Sequence, residues 1–265
     1  MNSVSSGIEE GAVDREPNTP RLSVIVPAYN EETRIGATLQ RMVAYLEERG
    51  ESFELIVVSD GSTDNTNAVV NKIAEAHVQL RLLTYSPNRG KGYAVRVGML
   101  AATGERVLFS DADLATPIEE VEKLSEALDK GCDIAIGSRD TIGSELIRRQ
   151  SFVREMGGRF FNQLVQLIAV PGIHDTQCGF KLFTRRAVQT IYPRCQIDHF
   201  AFAVEVLFLA RKYGFRISEI PVRWAHQEGS KVRFVRDAIR MLKTLFRIRF
   251  TNYGEATSIY RLPTQ

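Results

Sequence analysis

The sequence predicts an α/β fold in which a mostly parallel sheet is covered by helices on both faces. Two observations support this prediction. Short apolar runs of strand length alternate with longer segments in which apolar residues recur at helical spacing, from Leu22 to about residue 140. Carboxylates, glycines and other polar residues follow each apolar run, where the carboxyl ends of parallel strands would meet. Strands that alternate with helices in this way are typical of a parallel sheet.

The predicted elements follow one another in a regular order. The first strand is stopped by Pro27, and the first helix begins at Ile35 and closes at Gly50. The strands are predicted at residues 22–26, 53–58, 80–84, 107–110 and 133–136, and the later helices at 64–77, 91–102 and 117–130. Beyond residue 140 the alternation weakens. There, two apolar helical stretches, about 151–169 and 201–213, flank a strand candidate at 179–183.

Length and composition divide the chain into three parts. With 265 residues, 44% of them hydrophobic, one large domain with a sizeable core is expected. Residues 1–20 are rich in Ser, Gly, Glu, Asn and Pro without periodicity, which indicates a disordered tail. The α/β domain is expected over 21–229, and a basic amphipathic segment over 230–265.

Net charge and cysteine spacing indicate which classes of protein the chain can belong to. The net charge of +2 gives no indication of a nucleic-acid partner. The cysteines Cys132, Cys178 and Cys195 are widely spaced, which fits a reducing cytosol better than a disulfide framework or a zinc site. No signal peptide and no apolar run of transmembrane length are evident, so a cytoplasmic location is expected.

An acidic pair follows the fourth predicted strand. The apolar run that begins at Arg106 leads directly into Asp111 and Asp113. Two carboxylates held close together repel each other, and a divalent cation with oxygen ligands, Mg²⁺ or Mn²⁺, would offset the repulsion. The simpler alternative is a strand that ends in a solvated polar turn.

The other strand ends together indicate a nucleotide site. Tyr29 could stack on a base, Asp60 could accept a hydrogen bond from a base N–H, and Asp64 could cap the following helix. Gly90-Lys91-Gly92 before a helix resembles a phosphate cradle, in which free N–H groups and one lysine meet an anion. Each piece alone is explained by ordinary turn chemistry, but all five strand ends together are better explained by a binding site.

Three motifs make the chain resemble family 2 of the glycosyltransferases. They are Pro27-Ala-Tyr-Asn-Glu31, Asp60-Gly-Ser-Thr-Asp-Asn-Thr66 and Asp111-Ala-Asp113, in that order and spacing. The resemblance implies the GT-A fold, which is Rossmann-like, and a nucleotide-sugar donor. It also implies that Asp111 and Asp113 hold the metal.

Within this family the chain is similar to the dolichyl-phosphate glucosyltransferases over about residues 21–253. The similarity depends on the segments 88–96, 111–116, 137–139, 175–183, 219–224 and 228–231. It implies inverting, metal-dependent transfer of a hexose, with glucose expected, from a uridine diphosphate sugar to a polyprenyl phosphate of dolichyl type. The chain departs from the eukaryotic members in two ways: it shows no N-terminal membrane anchor, and Ala203 stands where they have an acidic residue ahead of the matching Glu205.

The resemblance also assigns roles to individual residues. Asp113 and Asp175 are the expected catalytic carboxylates, with Asp175 acting as a base or as an orienting group. The nucleotide sugar would be bound by Pro27, Tyr29, Glu31, Asp60, Lys91, Asp111 and Lys231. The acceptor phosphate would be met by Ser138, Arg139, Arg148, Arg149 and Ser151, because planar guanidinium groups suit phosphate. Arg148-Arg149 could equally be a solvated charge pair in a loop.

The C-terminal segment suggests contact with an anionic membrane surface. Residues 231–249 contain seven basic residues and one acid, with apolar residues at helical spacing that include Val232, Val235 and Phe246. Such a helix suits an interface rich in anionic lipid, but it could equally pack on its own core. The stretch 152–170 presents the same choice. The expected enzyme is therefore peripheral on the cytoplasmic face of a membrane.

Two other functions remain open from the sequence. One is a mannosyl or N-acetylhexosaminyl transferase that uses the same class of acceptor. The other is a catalytically silent nucleotide-sugar-binding protein that acts as a partner for a membrane protein.

Overall fold

The computed structural model describes residues 19–139, 145–148, 165–166, 168–225 and 243–254, with residues 145–148 described by their backbone alone. Nine strands lie in these ranges: β1 (Leu22–Ala28), β2 (Phe53–Asp60), β3 (Leu80–Tyr85), β4 (Arg106–Ser110), β5 (Ile134–Ser138), β6 (Glu145–Arg148), β7 (Phe180–Thr184), β8 (Ile217–Pro221) and β9 (Arg223–Ala225). The α-helices are α1 (Ile35–Arg49), α2 (Thr66–Ala74), α3 (Lys91–Ala101), α4 (Val121–Asp129), α5 (Arg185–Ile191) and α6 (Phe202–Lys212). Short 3₁₀ helices span Ile118–Glu120 and Tyr192–Arg194, and residues 243–250 are helical.

Seven strands form one sheet in the order β3-β2-β1-β4-β7-β5-β8. The pairs β1–β2, β2–β3, β1–β4 and β5–β8 are parallel, whereas β7 is antiparallel to both β4 and β5. The mostly parallel sheet confirms the prediction. The antiparallel strand was predicted as a strand but not in this place, between two strands that are consecutive in the parallel series. β6 and β9 pair separately as a small parallel sheet.

Helices cover both faces of the sheet, as the sequence predicts. Val24 and Val26 of β1 pack in a cluster with residues of α1 and α4, whereas Ile25 between them packs in a second cluster with α3, α5 and α6. Successive side chains of a strand point to opposite faces, so β1 is apolar throughout because both of its faces are buried.

Several element boundaries differ from the sequence-based ones. β5 ends at Ser138 instead of residue 136, since Gly137 and Ser138 pair with β8. The helix expected over 117–130 is divided into a 3₁₀ turn and α4, and Pro117 precedes the turn with extended backbone. The helix expected over 64–77 is restricted to Thr66–Ala74.

The two apolar segments proposed for membrane contact lie partly outside the described residues. Within 165–170, Val165 and Val170 are fully buried, so this part belongs to the core. The helix at 243–250 buries Leu245 and Ile248 but exposes 51% of Phe246 and 81% of Phe250. It therefore packs on the core with one face and presents aromatic rings with the other. No helix of the described residues is long and apolar enough to cross a membrane.

Candidate active site

β4 delivers the acidic pair to its carboxyl end, as the sequence predicts. The backbone N–H of Asp111 donates to the carbonyl of Gly179 at 3.0 Å, and the Leu114 N–H donates back to the Asp111 carbonyl at 3.3 Å. Leu114 has a φ of 47°, a left-handed backbone conformation that is uncommon for residues other than glycine. Asp113 Oδ1 accepts the N–H of Ala115 at 3.0 Å. The tight turn thus keeps both carboxylates at the end of the strand.

Gly179 leaves the space that the Asp111 side chain occupies. A Cβ atom at residue 179 would lie 2.0 Å from Oδ2 of Asp111 and 2.2 Å from its Cγ. Real Cβ atoms do not approach this closely, so any other residue would displace the carboxylate. Gly179, immediately before β7, is therefore part of the site, although it contributes no side chain.

A lysine offsets the charge of the acidic pair. Lys91, the first residue of α3, places Nζ 2.6 Å from Oδ1 of Asp111. Asp113 is mostly buried beside Asp111, and this burial, followed by the repulsion between the two carboxylates, raises the pKa of Asp113. The pair is thus electrostatically poised to receive a cation.

The donor set fits a divalent metal that is completed by the substrate. Among the residues that the structure describes, no three His, Cys, Asp or Glu side chains are grouped to hold a metal by themselves. Mg²⁺ and similar ions are commonly bound through one or two carboxylates together with substrate phosphates. Oδ1 of Asp111 is buried and, apart from its ion pair with Lys91, makes no hydrogen bond with the described residues. Asp111 and Asp113 would hold such an ion.

Asp60 lies at the carboxyl end of β2, where the sequence predicts it, and is surrounded by donors of the protein. Its carboxylate is 4% exposed and accepts four hydrogen bonds, from Tyr85 Oη (2.8 Å), the Arg89 N–H (2.7 Å), Asn88 Nδ2 (2.8 Å) and the Gly90 N–H (2.9 Å). A carboxylate offers about four acceptor positions. These donors fill the acceptor positions of Asp60, so its carboxylate orders the loop that leads into α3, and its direct bond to a base N–H stays a prediction.

The first two sequence motifs bind each other at the neighbouring strand ends. Asn30, with a φ of 52°, accepts the Thr63 N–H through Oδ1 at 2.8 Å, and its own N–H donates to Ser62 Oγ at 3.1 Å. The Glu31 N–H donates to Thr66 Oγ1 at 2.8 Å. These bonds fix the turn after β1 against the turn after β2.

The remaining residues predicted around this turn are in varied environments. Pro27 is buried within β1, Tyr29 is 37% exposed, and Glu31 forms an ion pair with Arg34. Asp64 accepts the first N–H of α2, from Thr66, at 3.0 Å, which agrees with its expected capping role.

Asp175 is buried and forms an ion pair with Arg139, whose side chain is partly exposed. Arg139 donates from Nε to Oδ2 at 2.7 Å and from Nη2 to Oδ1 at 2.8 Å, while the N–H groups of Arg139, Gln177 and Cys178 add three further bonds to the carboxylate. Burial opposes ionisation, but Arg139 and these bonds lower the pKa of Asp175 to about 2. A carboxylate with so low a pKa is a weak base, so the contacts favour the orienting role.

Residues of β8 and β9 contact the Asp175–Arg139 ion pair and its turn. Glu219 accepts the N–H groups of Asp175 and His174, both at 2.8 Å. The ring of Trp224 lies 5.3 Å from the guanidinium carbon of Arg139. Farther along, the N–H of Ala225 donates to the carbonyl of Ala115 at 2.8 Å, which joins β9 to the turn after the acidic pair.

The structure brings together some of the predicted acceptor residues and not others. Ser138 is completely buried at the end of β5, next to Arg139, and its contact with the acceptor phosphate stays a prediction. Arg139 lies at the site but shares its guanidinium with Asp175. The side chain of Arg148 lies outside the described residues, as do Arg149, Ser151 and Lys231.

Acid should weaken the fold through Asp175. Its pKa is about 2 in the folded protein against an ordinary 3.8, so the unfolded chain takes up the proton first as the pH falls. The stabilisation is complete above pH 4 and is lost towards pH 2, by about 2 kcal/mol for a shift of this size. Urea unfolding between pH 6 and pH 3 should show the stability gap between wild type and Asp175→Asn narrowing as the pH falls. A constant gap would contradict the ion pair.

Sequence reasoning missed a second buried cluster beside the site. Glu205 of α6 is fully buried, and Arg96 of α3 is 2% exposed and pairs with Asp198 at 2.6 Å. The hydroxyl of Tyr253 donates to Glu205 at 2.9 Å. A single acidic residue within the apolar run 201–210 was the available signal, since a buried carboxylate requires donors.

Comparison with known proteins agrees with this geometry. The family model described as glycosyl transferase family 2 matches residues 23–192. A dolichyl-phosphate beta-glucosyltransferase of Drosophila melanogaster is 43% identical over 242 residues, which cover 86% of this chain and 74% of the relative. The human protein with the same name is 39% identical over 244 residues, covering 87% and 75%.

Solved structures show the same fold at low sequence identity. Glucosyl-3-phosphoglycerate synthase from Mycobacterium tuberculosis, in complex with Mn²⁺, uridine-diphosphate-glucose and glycerol 3-phosphate, superimposes with a TM-score of 0.66 at 20% identity. The superposition covers 87% of this chain and 80% of that one. The fold is therefore GT-A, and with the family match over most of the sheet, the chain belongs to glycosyltransferase family 2 and is a glycosyltransferase.

Proposed function

We propose that the enzyme transfers glucose from uridine diphosphate glucose to a polyprenyl phosphate of dolichyl type, with inversion at the sugar. The observation that supports this most strongly is the cluster of Asp111, Asp113 and Lys91 at the end of β4, in a chain 39–43% identical to relatives named dolichyl-phosphate beta-glucosyltransferase. The cluster fits a diphosphate leaving group, and the names of the relatives supply the sugar and the acceptor.

The donor is proposed to lie across the carboxyl ends of β1, β2 and β4. Tyr29 would cover the base, and Asp60 would act indirectly by ordering the loop before α3. Lys91 would turn from Asp111 to the diphosphate, with the amino terminus of α3 behind it. Lys231 is proposed for the same anion on sequence grounds alone. Pro27 and Glu31 would shape the turn beneath the nucleotide.

A divalent cation held by Asp111 and Asp113, Mg²⁺ or Mn²⁺, would neutralise the charge that develops on the departing diphosphate. The protein's own contribution is to hold these carboxylates at the strand end. Gly179 does so by leaving room for Asp111, and the Ala115 N–H does so by bonding Asp113.

The acceptor requires little activation. A phosphate monoester has a second pKa near about 6 and is largely ionised at neutral pH, so no strong base is needed. This agrees with the low pKa of Asp175, which we propose orients Arg139 and the surrounding turn. Arg139, together with Arg148, Arg149 and Ser151, is proposed to meet the acceptor phosphate. When an oxygen of the acceptor phosphate attacks the anomeric carbon of the sugar from the side opposite the diphosphate, a single displacement inverts the configuration at that carbon.

The lipid acceptor is proposed to be reached from the membrane surface. The exposed rings of Phe246 and Phe250 lie one helical turn apart, with Lys243, Arg247 and Arg249 on the same short helix. Aromatic rings with flanking cations suit the interface of an anionic bilayer. The three cysteines are free, which fits our proposal of the cytoplasmic face.

Replacing both exposed rings should weaken membrane attachment. Phe246→Ser with Phe250→Ser removes two apolar anchors without touching the buried Leu245 and Ile248. Each ring contributes on the order of 1–2 kcal/mol on burial, so vesicle affinity should fall at least tenfold. Sedimentation with anionic vesicles measures this, and Val78→Ser, at a residue 94% exposed elsewhere, is the control. Equal sedimentation of the double variant and wild type would show that this face does not meet the membrane.

Donor binding tests the proposal before any chemistry. Calorimetry with Mn²⁺ should show tighter binding of uridine diphosphate and its glucose ester than of guanosine diphosphate mannose. A chelator should weaken this binding. Preference for the mannose donor would instead favour a mannosyl transferase, and binding of all donors without selection would contradict the proposed donor site.

A further inference from the structure

We infer that Tyr253 and Glu205 are positioning residues for the phosphate cradle, the turn formed by Gly90, Lys91 and Gly92. Together they fix the backbone of residues 195–198 against the amino terminus of α3. The C-terminal part of the chain, which carries the exposed rings of Phe246 and Phe250, is thereby connected to the turn that would hold the donor diphosphate.

Glu205 gathers three donors from two distant parts of the chain. Its Oε1 accepts the Gln196 N–H and the Tyr253 hydroxyl, both at 2.9 Å, and its Oε2 accepts the Ile197 N–H at 2.9 Å. The glutamate is 0% exposed and Tyr253 is 3% exposed. A buried carboxylate is stable only when it is hydrogen-bonded, so loss of one donor weakens its hold on the other two.

Tyr253 is itself held in place. Its carbonyl accepts the Tyr213 hydroxyl at 2.7 Å, and its ring centroid lies 6.1 Å from that of Phe208 on α6. The hydroxyl is therefore aimed at Glu205 by contacts that do not depend on the hydroxyl. Removal of the oxygen alone would leave the ring packed.

The segment held by Glu205 is also bonded to α3. Arg96 donates from Nη1 to the Cys195 carbonyl at 3.0 Å and from Nη2 to Asp198 Oδ1 at 2.6 Å. The Tyr93 N–H, in the first turn of α3, donates to the Asp198 carbonyl at 3.2 Å. The 195–198 segment therefore lies between α6 on one side and α3 on the other.

The phosphate cradle packs directly against the backbone of residues 195–198. A Cβ atom at Gly90 would lie 2.5 Å from the Asp198 carbonyl oxygen, and one at Gly92 would lie 2.6 Å from that of Ile197. Gly90 also has a φ of 107°, which favours glycine. A shift of the 195–198 backbone would thus be transmitted to the N–H groups before α3 and to Lys91.

The test is Tyr253→Phe, which removes one donor and keeps the ring. Hydrogen exchange should become faster at the amides of residues 196–197 and 90–93. Calorimetry with uridine diphosphate and Mn²⁺ should show an affinity about 3- to 10-fold lower, the scale of one lost hydrogen bond. The Michaelis constant for the nucleotide sugar should rise, while that for a short polyprenyl phosphate should stay unchanged. Glu205→Gln should show the same changes more strongly.

A matched control is Tyr45→Phe, which also removes a hydrogen bond from a tyrosine to a glutamate. The Tyr45 hydroxyl of α1 donates to Glu122 Oε1 of α4 at 2.6 Å. This variant should alter neither exchange at these amides nor uridine diphosphate affinity. Unchanged exchange in Tyr253→Phe, or faster exchange with unchanged affinity, would overturn the inference. The affinity measurement rests on the proposed function: if wild type binds no uridine diphosphate, that function fails, while exchange at 90–93 still decides whether Tyr253 and Glu205 position the cradle.

Discussion

Replacing Asp113 with asparagine is expected to lower the rate of glucosyl transfer by about 10²–10³ while the fold is retained. The substitution keeps the shape of the side chain and can keep the bond from the Ala115 N–H, but it removes a negative charge beside Asp111. Since the proposed role of that charge is to hold a cation, affinity for Mn²⁺ in the presence of uridine diphosphate should fall as well. Initial rates and calorimetry measure the two effects separately.

Asp129→Asn is the matched control for this variant. Asp129 pairs with Arg106 near the opposite end of β4, and 62% of its side chain is exposed. It should lose little activity, because exposed ion pairs contribute little to stability and this one lies away from the acidic pair. Turnover close to that of wild type in Asp113→Asn with Mg²⁺ or Mn²⁺ would remove Asp113 from the metal site.

Gly179→Ala should be nearly as damaging, although it adds only a methyl group. The new Cβ would stand 2.0 Å from Oδ2 of Asp111, so the carboxylate or the start of β7 must move. A displacement of about 1 Å at a reacting centre can cost on the order of 10² in rate. Steady-state kinetics should show this loss, and circular dichroism should show the secondary structure unchanged.

Gly254→Ala serves as its control, because a Cβ at that residue would meet nothing within 4 Å. It should retain activity. If Gly179→Ala also keeps full activity, Asp111 tolerates displacement, and its assignment as a fixed ligand of the cation is wrong.

The sequence predicted most of the sheet because the strands are apolar on both faces. Val24, Ile25 and Val26 illustrate this, since they face two different clusters and so form an unbroken run. The order of the strands was not predictable in the same way. β7 follows β6 in the chain but pairs with β4 and β5, and this placement depends on long-range packing that no local pattern encodes.

The sequence predicted which residues belong to the site, but not which groups of the protein hydrogen-bond to them. Asp111 and Asp113 follow a strand in the sequence, and they do so in the structure. Asp60 was expected to accept a base N–H, and Asp175 to act as a base or an orienting group; the structure adds that both are buried and hydrogen-bonded by the protein. Which donors surround a carboxylate is decided by segments far away in the chain, such as Arg139 for Asp175, 36 residues earlier.

Identification of the reaction product tests most directly whether the enzyme transfers glucose to a polyprenyl phosphate. Purified enzyme with Mn²⁺, uridine diphosphate glucose and a short-chain polyprenyl phosphate should form a polyprenyl-phosphate glucose, detected by mass spectrometry, with the β-anomer shown by nuclear magnetic resonance. Asp113→Asn and a chelator should each suppress it. Folded enzyme that binds the donor but forms no lipid-linked glucose, or forms the α-anomer, would contradict the proposed function.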